Sequence, residues 1–144
     1  MKLIITSRGG AGKIINSDIE ITHIISIGAN EPLQRPPKGF DNHPAKKLRL
    51  EFWDISSAKR GKMTGPSKKD IEKIIDFSNG ILKEENPTVL IHCFAGISRS
   101  TAAGLILLTK YYNGDIEKAK KELFKLVPKA SPNTRMLKLA GEIL

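Results

Sequence analysis

The sequence is poor in the residues that form disulfides and metal sites. It has one cysteine, Cys93, three histidines and one tryptophan among 144 residues. A single cysteine excludes an intramolecular disulfide and a cysteine-rich zinc site, and the scattered histidines predict no metal cage. We therefore expect neither metal nor cofactor. The longest apolar run, Leu105–Leu108, is far too short to cross a membrane, and no secretory pattern follows Met1. We expect a cytoplasmic protein, monomeric by default.

Acidic residues are also scarce relative to basic ones. The chain has 24 lysines and arginines against 15 acidic residues, which gives a formal net charge of +9. This excess favours anionic partners such as phosphorylated substrates, nucleic acid or an acidic surface. Many of the lysines, Lys120 and Lys121 among them, fall on predicted solvated helix faces, so nucleic acid is an alternative and not the favoured partner.

Short β-branched runs alternate with helical patterns along the whole chain. We predict one domain, residues 1–144, of the α/β class with a central, mostly parallel sheet flanked by helices. The predicted strands are Lys2–Thr6, Thr22–Ile27, Lys46–Phe52 and Thr88–His92. The predicted helices run from the Ser67/Asp70 capping box to about Asn86-Pro87, over Ser100–Tyr112 with Gly114 as its stop, from Asp115 to about Leu126, and from Ser131-Pro132 towards Leu144.

Three segments are predicted as irregular or stay open. Residues 28–45, rich in Gly, Pro and Asn, and residues 53–65 are predicted loops. Residues 11–17 form either a short helix or a hairpin. Residues 8–14 invite comparison with a nucleotide-binding loop, but Ser7 and Ile14 stand where that loop needs glycine and Ser or Thr. We predict a flexible turn there.

The segment that carries the chemistry lies between the strand ending at His92 and the helix beginning at Ser100. A cysteine, five residues and an arginine, Cys93 to Arg99, can curl so that backbone N–H groups form an anion-binding nest. Gly96 permits the tight backbone, and Arg99 offers a planar fork of donors for two phosphate oxygens. A helix N-terminus and a guanidinium favour the nucleophilic thiolate of a cysteine. The pattern predicts a site for a tetrahedral dianion.

The run His92-Cys93-Phe94-Ala95-Gly96-Ile97-Ser98-Arg99-Ser100 resembles the signature of the protein tyrosine phosphatase superfamily, most closely its compact dual-specificity branch. The resemblance implies that Cys93 is the nucleophile and that Arg99 and the loop from Phe94 to Ser98 bind the phosphate. It also implies that Ser100 assists the sulfur as leaving group and that His92 orients the loop. Residues 46–56, 88–101 and 130–137 carry the likeness at residue level.

A phosphatase of this kind needs a general acid, and Asp54 is the candidate. It follows a predicted strand, so it emerges at the same sheet edge as Cys93. The tyrosine-specific relatives have a proline between the tryptophan and the aspartate, whereas Trp53 is followed directly by Asp54. Asp41 and Asp70 are rivals, Asp70 being better explained as a helix cap. Asn133 is an open candidate for bracing the loop, because the cap pattern of Ser131-Pro132 already explains its segment.

The expected function is a cysteine-dependent phosphomonoester hydrolase that acts through a cysteinyl phosphate. Its expected substrates are phosphoproteins carrying phosphotyrosine or phosphoserine and phosphothreonine. Relatives with the same signature act on RNA 5′ ends, inositol phosphates or phosphoinositides, and these stay alternatives. A non-catalytic phosphate-binding module is disfavoured because cysteine, arginine and acid are all present. Sulfur transfer on a rhodanese-like loop is disfavoured by Arg99 and Ser100.

Overall fold

A computed structural model describes all 144 residues. The strands are β1 (Lys2–Thr6), β2 (His23–Gly28), β3 (Lys46–Glu51), β4 (Lys59–Arg60), β5 (Met63–Thr64) and β6 (Thr88–His92). The helices are α1 (Arg8–Ile15), α2 (Lys68–Ile81), α3 (Arg99–Tyr111), α4 (Ile116–Leu126) and α5 (Thr134–Ile143), with a short 3-10 turn at Pro32–Gln34. None of the helices is long and apolar enough to cross a membrane.

The central sheet has four strands in the order β1-β6-β2-β3, and every pairing in it is parallel. The predicted α/β class with a mostly parallel sheet is therefore confirmed. Since all four strands run the same way, their carboxyl ends meet at one edge, where ligands bind in such sheets. Thr6, Gly28, Glu51 and His92 are the last residues of these strands.

Both faces of the sheet are covered, by unequal layers. Helix α1 and the loop before β3 cover one face with a small cluster that includes Ala11, Ile24 and Leu90. Helices α2 to α5 cover the other face with a cluster of 23 buried residues. Helix α3 lies at its centre and is buried over most of its length. This burial holds the first turn of α3, which carries Arg99 and Ser100, rigidly against β6.

The structure corrects four sequence predictions. Residues 53–65 are not all loop, because β4 and β5 pair there as an antiparallel hairpin. Residues 8–14 are not a flexible turn but belong to α1, capped by Ser7, whose side chain accepts a hydrogen bond from the Gly10 N–H. Helix α2 ends at Ile81, before Asn86-Pro87, because the N–H groups of Lys83 and Glu84 bond to carbonyls three residues back and so form turns. Helix α5 is capped by Asn133 rather than Ser131. The last difference bears on the functional site.

Candidate functional site: the Cys93–Ser98 loop at the sheet edge

The segment from Cys93 to Ser98 forms a closed loop between β6 and α3. Gly96 lies at its turn with φ +79°, and a Cβ there would lie 2.6 Å from the Thr6 carbonyl carbon and 2.7 Å from the Ser7 nitrogen. The Arg8 N–H donates to the Phe94 carbonyl at 3.0 Å. The loop is therefore pressed against the β1–α1 junction, and only glycine fits at its point of contact.

The sulfur of Cys93 lies on the floor of this loop. The Gly96 N–H donates to Sγ at 3.3 Å, and Ser100 Oγ lies 3.1 Å from Sγ. The cysteine is nearly fully buried and is the only one in the chain. The helix α3 begins at Arg99, so its N-terminal dipole points at the same place. One backbone donor, a hydroxyl that can donate to a thiolate and a helix dipole thus surround the sulfur, which is an environment that stabilises negative charge.

The guanidinium of Arg99 is buried and held from two sides. Nη1 donates to the Phe52 carbonyl at 2.8 Å, and Nη2 donates to Gln34 Oε1 at 2.9 Å. Its Nε–H is buried and has no protein acceptor. Burial lowers the pKa of Arg99 from its ordinary value, while Cys93 and Asp54 oppose that shift. An arginine side chain stays charged nonetheless, so the site holds a fixed cation with a free donor.

Asp54, which follows the end of β3, contacts the loop from Cys93 to Ser98. Its Oδ1 accepts hydrogen bonds from Ser98 Oγ at 2.7 Å and from Asn133 Nδ2 at 2.8 Å. Asn133 in turn donates to the Ile55 carbonyl at 3.1 Å and accepts from the Met136 N–H at 2.9 Å, as the cap of α5. One asparagine therefore caps a helix and holds the carboxylate. The rival Asp70 is occupied in the α2 capping box, and Asp41 lies exposed in the loop before β3.

His92 connects the loop from Cys93 to Ser98 with the interior of the sheet. Its Nδ1 lies 2.9 Å from the Cys93 carbonyl and its Nε2 lies 2.6 Å from Ser26 Oγ. Because a carbonyl can only accept, Nδ1 carries the proton and the Ser26 hydroxyl donates to Nε2. Burial lowers the pKa of His92 to about 4, the Cys93 carbonyl opposes the shift, and the charges of Arg49, Arg8 and Arg99 lower it further. His92 is thus a neutral, fixed brace.

A polar cavity of about 340 Å³ adjoins Asp54 and Ser98. Nine of its ten lining residues are polar or proline, the exception being Ile55. Arg60, from the β4–β5 hairpin that the sequence predicted only as loop, is its one cation. The space beside Asp54 therefore suits a polar or anionic group.

Several solved phosphatase structures are similar to this chain in fold. Among solved structures, human DUSP28 superposes with a TM-score of 0.69 at 17% identity, covering 97% of this chain and 89% of that one. PTPMT1 in complex with PI(5)P also gives 0.69 at 17% identity, with 98% and 88% covered. DUSP15 gives 0.65 at 22% identity, with 98% and 81% covered.

The chain has the protein tyrosine phosphatase fold in its compact dual-specificity form. In sequence, it is 30% identical to the human protein phosphatase Slingshot homolog 3 over 118 residues. That match covers 82% of this chain but only 16% of the human protein, so the chain spans about one sixth of that relative's length. No family model matches the chain. The resemblance inferred from the loop sequence thus agrees with the fold.

Within this fold, two side chains lie near Arg99 that the sequence alone did not assign to the site. Gln34 lies in a loop with no periodic pattern, and no sequence signal indicates its contact with Arg99. Arg49 has a weak signal, because it is a charged residue on the face of β3 opposite Leu48 and Leu50. The structure places Arg49, Ser26 and His92 in one row across β3, β2 and β6. This alignment can be deduced only when the register between the strands is known.

Proposed function

We propose that the protein is a cysteine-dependent phosphomonoester hydrolase of the dual-specificity type, acting on phosphoproteins. The observation that carries the proposal is the buried Cys93 sulfur within reach of the Gly96 N–H and Ser100 hydroxyl, beside a buried Arg99 whose Nε–H lacks an acceptor. A phosphoryl group bound over the sulfur accepts from Arg99 and from the loop amides between Phe94 and Arg99. These donors stabilise the charge that spreads over its equatorial oxygens.

In the first step the Cys93 thiolate attacks phosphorus, and the bond from phosphorus to the leaving oxygen breaks. Asp54, held through Oδ1 by Ser98 and Asn133, has Oδ2 available to carry the proton that the departing oxygen takes. The product is a cysteinyl phosphate and a free alcohol or phenol.

In the second step Asp54 takes a proton from a water molecule, which attacks phosphorus and releases inorganic phosphate. The S–P bond breaks and the thiolate is restored. The Ser100 hydroxyl, 3.1 Å from Sγ, donates to the departing sulfur and stabilises it. Phe94 exposes half of its surface beside this position and offers an apolar contact for the substrate. The dependence of this cycle on a reduced thiol fits a reducing compartment such as the cytoplasm.

A second candidate substrate class is a non-protein phosphate, such as an inositol phosphate, a phosphoinositide or an RNA 5′ end. Two observations favour it: the polar cavity with Arg60 beside Asp54, and the similarity in fold to PTPMT1, whose structure holds PI(5)P. Both candidates use the same residues and the same two steps.

The test of the reaction is hydrolysis of an aryl phosphate by the purified protein without added metal. We expect turnover in the wild type and none with Cys93→Ser, because a serine hydroxyl at this position is a far weaker nucleophile than a thiolate. Undiminished turnover in Cys93→Ser would refute the mechanism.

The test of the substrate is a parallel assay on a phosphotyrosine peptide, a phosphoserine peptide, a phosphoinositide and triphosphorylated RNA. The highest kcat/KM on a peptide supports the protein-phosphatase proposal. A higher kcat/KM on the lipid or the RNA would instead support a non-protein phosphate as the substrate.

A further inference from the structure

Gln34 joins two guanidinium groups beside the phosphate loop. Its side-chain Oε1 accepts from Arg99 Nη2 at 2.9 Å and from the Ala29 N–H at 3.0 Å. Its backbone carbonyl accepts from Arg49 Nη2 at 2.6 Å. Gln34 is thus bound through both of its oxygens, although it lies in a loop whose neighbours Leu33 and Arg35 are exposed.

Arg49 is fixed at the other end of this arrangement. Its Nη1 donates to Ser26 Oγ at 3.0 Å, and its Nη2 also donates to Glu51 Oε2 at 3.0 Å. Ser26 then contacts His92, which contacts the Cys93 carbonyl. One chain of hydrogen bonds therefore runs from the backbone of the nucleophile, through Arg49 and Gln34, to the side chain of Arg99.

The end of β2 is shaped to admit Gln34. A Cβ at Gly28 would lie 2.2 Å from the Gln34 carbonyl oxygen and 2.7 Å from Arg49 Nη2. No other residue type fits at that position without displacing Gln34 or Arg49. This close approach is independent of the contact with Arg99, and it fixes the loop that bears Gln34 against the sheet edge.

From these contacts we propose that Gln34 is a positioning residue for Arg99, and that the loop bearing Gln34 contributes to the phosphate site through this contact. With Nη1 bound to Phe52 and Nη2 bound to Gln34, the guanidinium plane is fixed, and its buried Nε–H is the donor that has no protein acceptor. An amide suits this role because it accepts from Arg99 without adding a negative charge that would repel a phosphate dianion. The proposal rests on the proposed function only for the identity of the bound anion.

The test uses the reactivity of Cys93 and needs no turnover. Iodoacetate and iodoacetamide both alkylate a thiolate, and only iodoacetate is an anion that a correctly placed Arg99 attracts. The ratio of the two rates therefore reports on Arg99 and cancels the thiolate fraction. We expect Arg99→Ala to lower the ratio of the iodoacetate rate to the iodoacetamide rate. Gln34→Ala should lower the same ratio by up to about 10-fold. In the Arg99→Ala background, Gln34→Ala should lower it no further.

The matched control is Leu33→Ala, an exposed neighbour on the same 3-10 turn, which leaves the ratio at the wild-type value. Tungstate inhibition, or tungstate binding if the protein proves inactive, should weaken in Gln34→Ala in parallel with the ratio. An unchanged ratio in Gln34→Ala, or an equal further loss in the Arg99→Ala background, would overturn the proposal. Failure of the phosphatase assay alone would not, because alkylation is measured on the resting protein.

Discussion

The two ends of the central sheet carry polar side chains in different arrangements. At the carboxyl end, the charges of Arg8, Arg49 and Arg99 all act on His92, and Arg99 keeps a donor free. At the amino end, His23 lies 3.0 Å from Glu84, and Lys46 lies 2.7 Å from the other oxygen of the same carboxylate. At the amino end both oxygens of this carboxylate are therefore occupied within the protein. At the carboxyl end Arg49 pairs with Glu51, but Arg99 pairs with no carboxylate and keeps a donor for an anion.

The difference separates residues that serve the reaction from residues that serve the fold. Substitutions at the carboxyl end should change turnover with little loss of stability when their structural contacts are kept. Substitutions at the amino end should change stability and leave turnover alone.

The largest effect is expected for Asp54→Ala. Removal of the proposed general acid should lower kcat by about 10²- to 10⁴-fold on an alkyl phosphate, because the leaving oxygen then departs without a proton. The loss should shrink on an aryl phosphate whose phenol is a good leaving group. The matched control is Asp41→Ala, which removes an exposed carboxylate from the loop before β3. Comparable losses in both variants would contradict the assignment of Asp54.

A smaller effect is expected for Asn133→Asp. A carboxylate at this position still caps α5, but Asn133 is buried against Asp54 and the Ile55 carbonyl, so the added charge should also lower Tm. It cannot donate to Asp54, and its charge repels that carboxylate, so kcat should fall by about 10- to 100-fold. Asn133→Ala loses all three side-chain hydrogen bonds, to Asp54, Ile55 and Met136, and should lose stability as well. Full activity in Asn133→Asp would show that the hydrogen bond to Asp54 has no role in turnover.

A third effect concerns pH and arises at the carboxyl end without touching the substrate. Burial holds the pKa of His92 at about 4, below the ordinary 6.5, so the fold favours the neutral ring. The stability that depends on neutral His92 is complete above about pH 6.5 and is lost as the pH falls towards 4. Between pH 7 and pH 5 this group should lower the free energy of unfolding by about 2 kcal/mol.

Urea unfolding at several pH values measures this loss, and His92→Gln should remove about that much of the pH dependence. Because the variant lacks some contacts of the ring, an NMR titration of the wild-type histidine gives a second measurement. A His92 resonance that titrates near 6.5 would show that the ring is not held neutral.

The smallest effect is expected at the amino end, for Glu84→Gln. The pKa of Glu84 is lowered, chiefly by its hydrogen bond to Lys46, but the carboxylate lies at the surface, where such pairs contribute little. We expect Tm to fall by a few degrees at most and kcat/KM to stay at the wild-type value. A clear loss of kcat/KM would mean that the two ends of the sheet are coupled.

The sequence predicts the parts of this molecule that local patterns encode. The strands Lys2–Thr6 and Thr88–His92 have the predicted bounds, and Asp115 caps α4 as expected. The cap of α5 was misplaced because Ser131-Pro132 has a typical local cap pattern. In the structure the Ser131 N–H instead donates to the Ile97 carbonyl, and the N-cap lies two residues later, at Asn133. A tertiary contact overrode a local preference.

The site divides along the same line. The loop from Cys93 to Arg99 is contiguous in sequence, so its shape and neighbours follow from one short pattern. Gln34 contacts Arg99 from the 3-10 turn before β3, and Arg49 contacts Gln34 from β3 itself. These contacts depend on the strand register and on the space that Gly28 leaves. Residues 8–14 show the reverse case: their glycines suggest a turn, but Gly10 packs against Thr6 inside a helix, where a larger residue would clash.

The contact of Gly96 with Thr6 and Ser7 also determines when the site can form during folding. The loop takes its shape against the end of β1, and β1 is held by pairing Lys2 with Thr88 and Thr6 with His92. These pairs join segments that are far apart along the chain, and such contacts form slowly because a long loop must close first. The anion nest is therefore completed only when the first strand docks beside β6, so phosphate binding on refolding should report the arrival of the N-terminal strand.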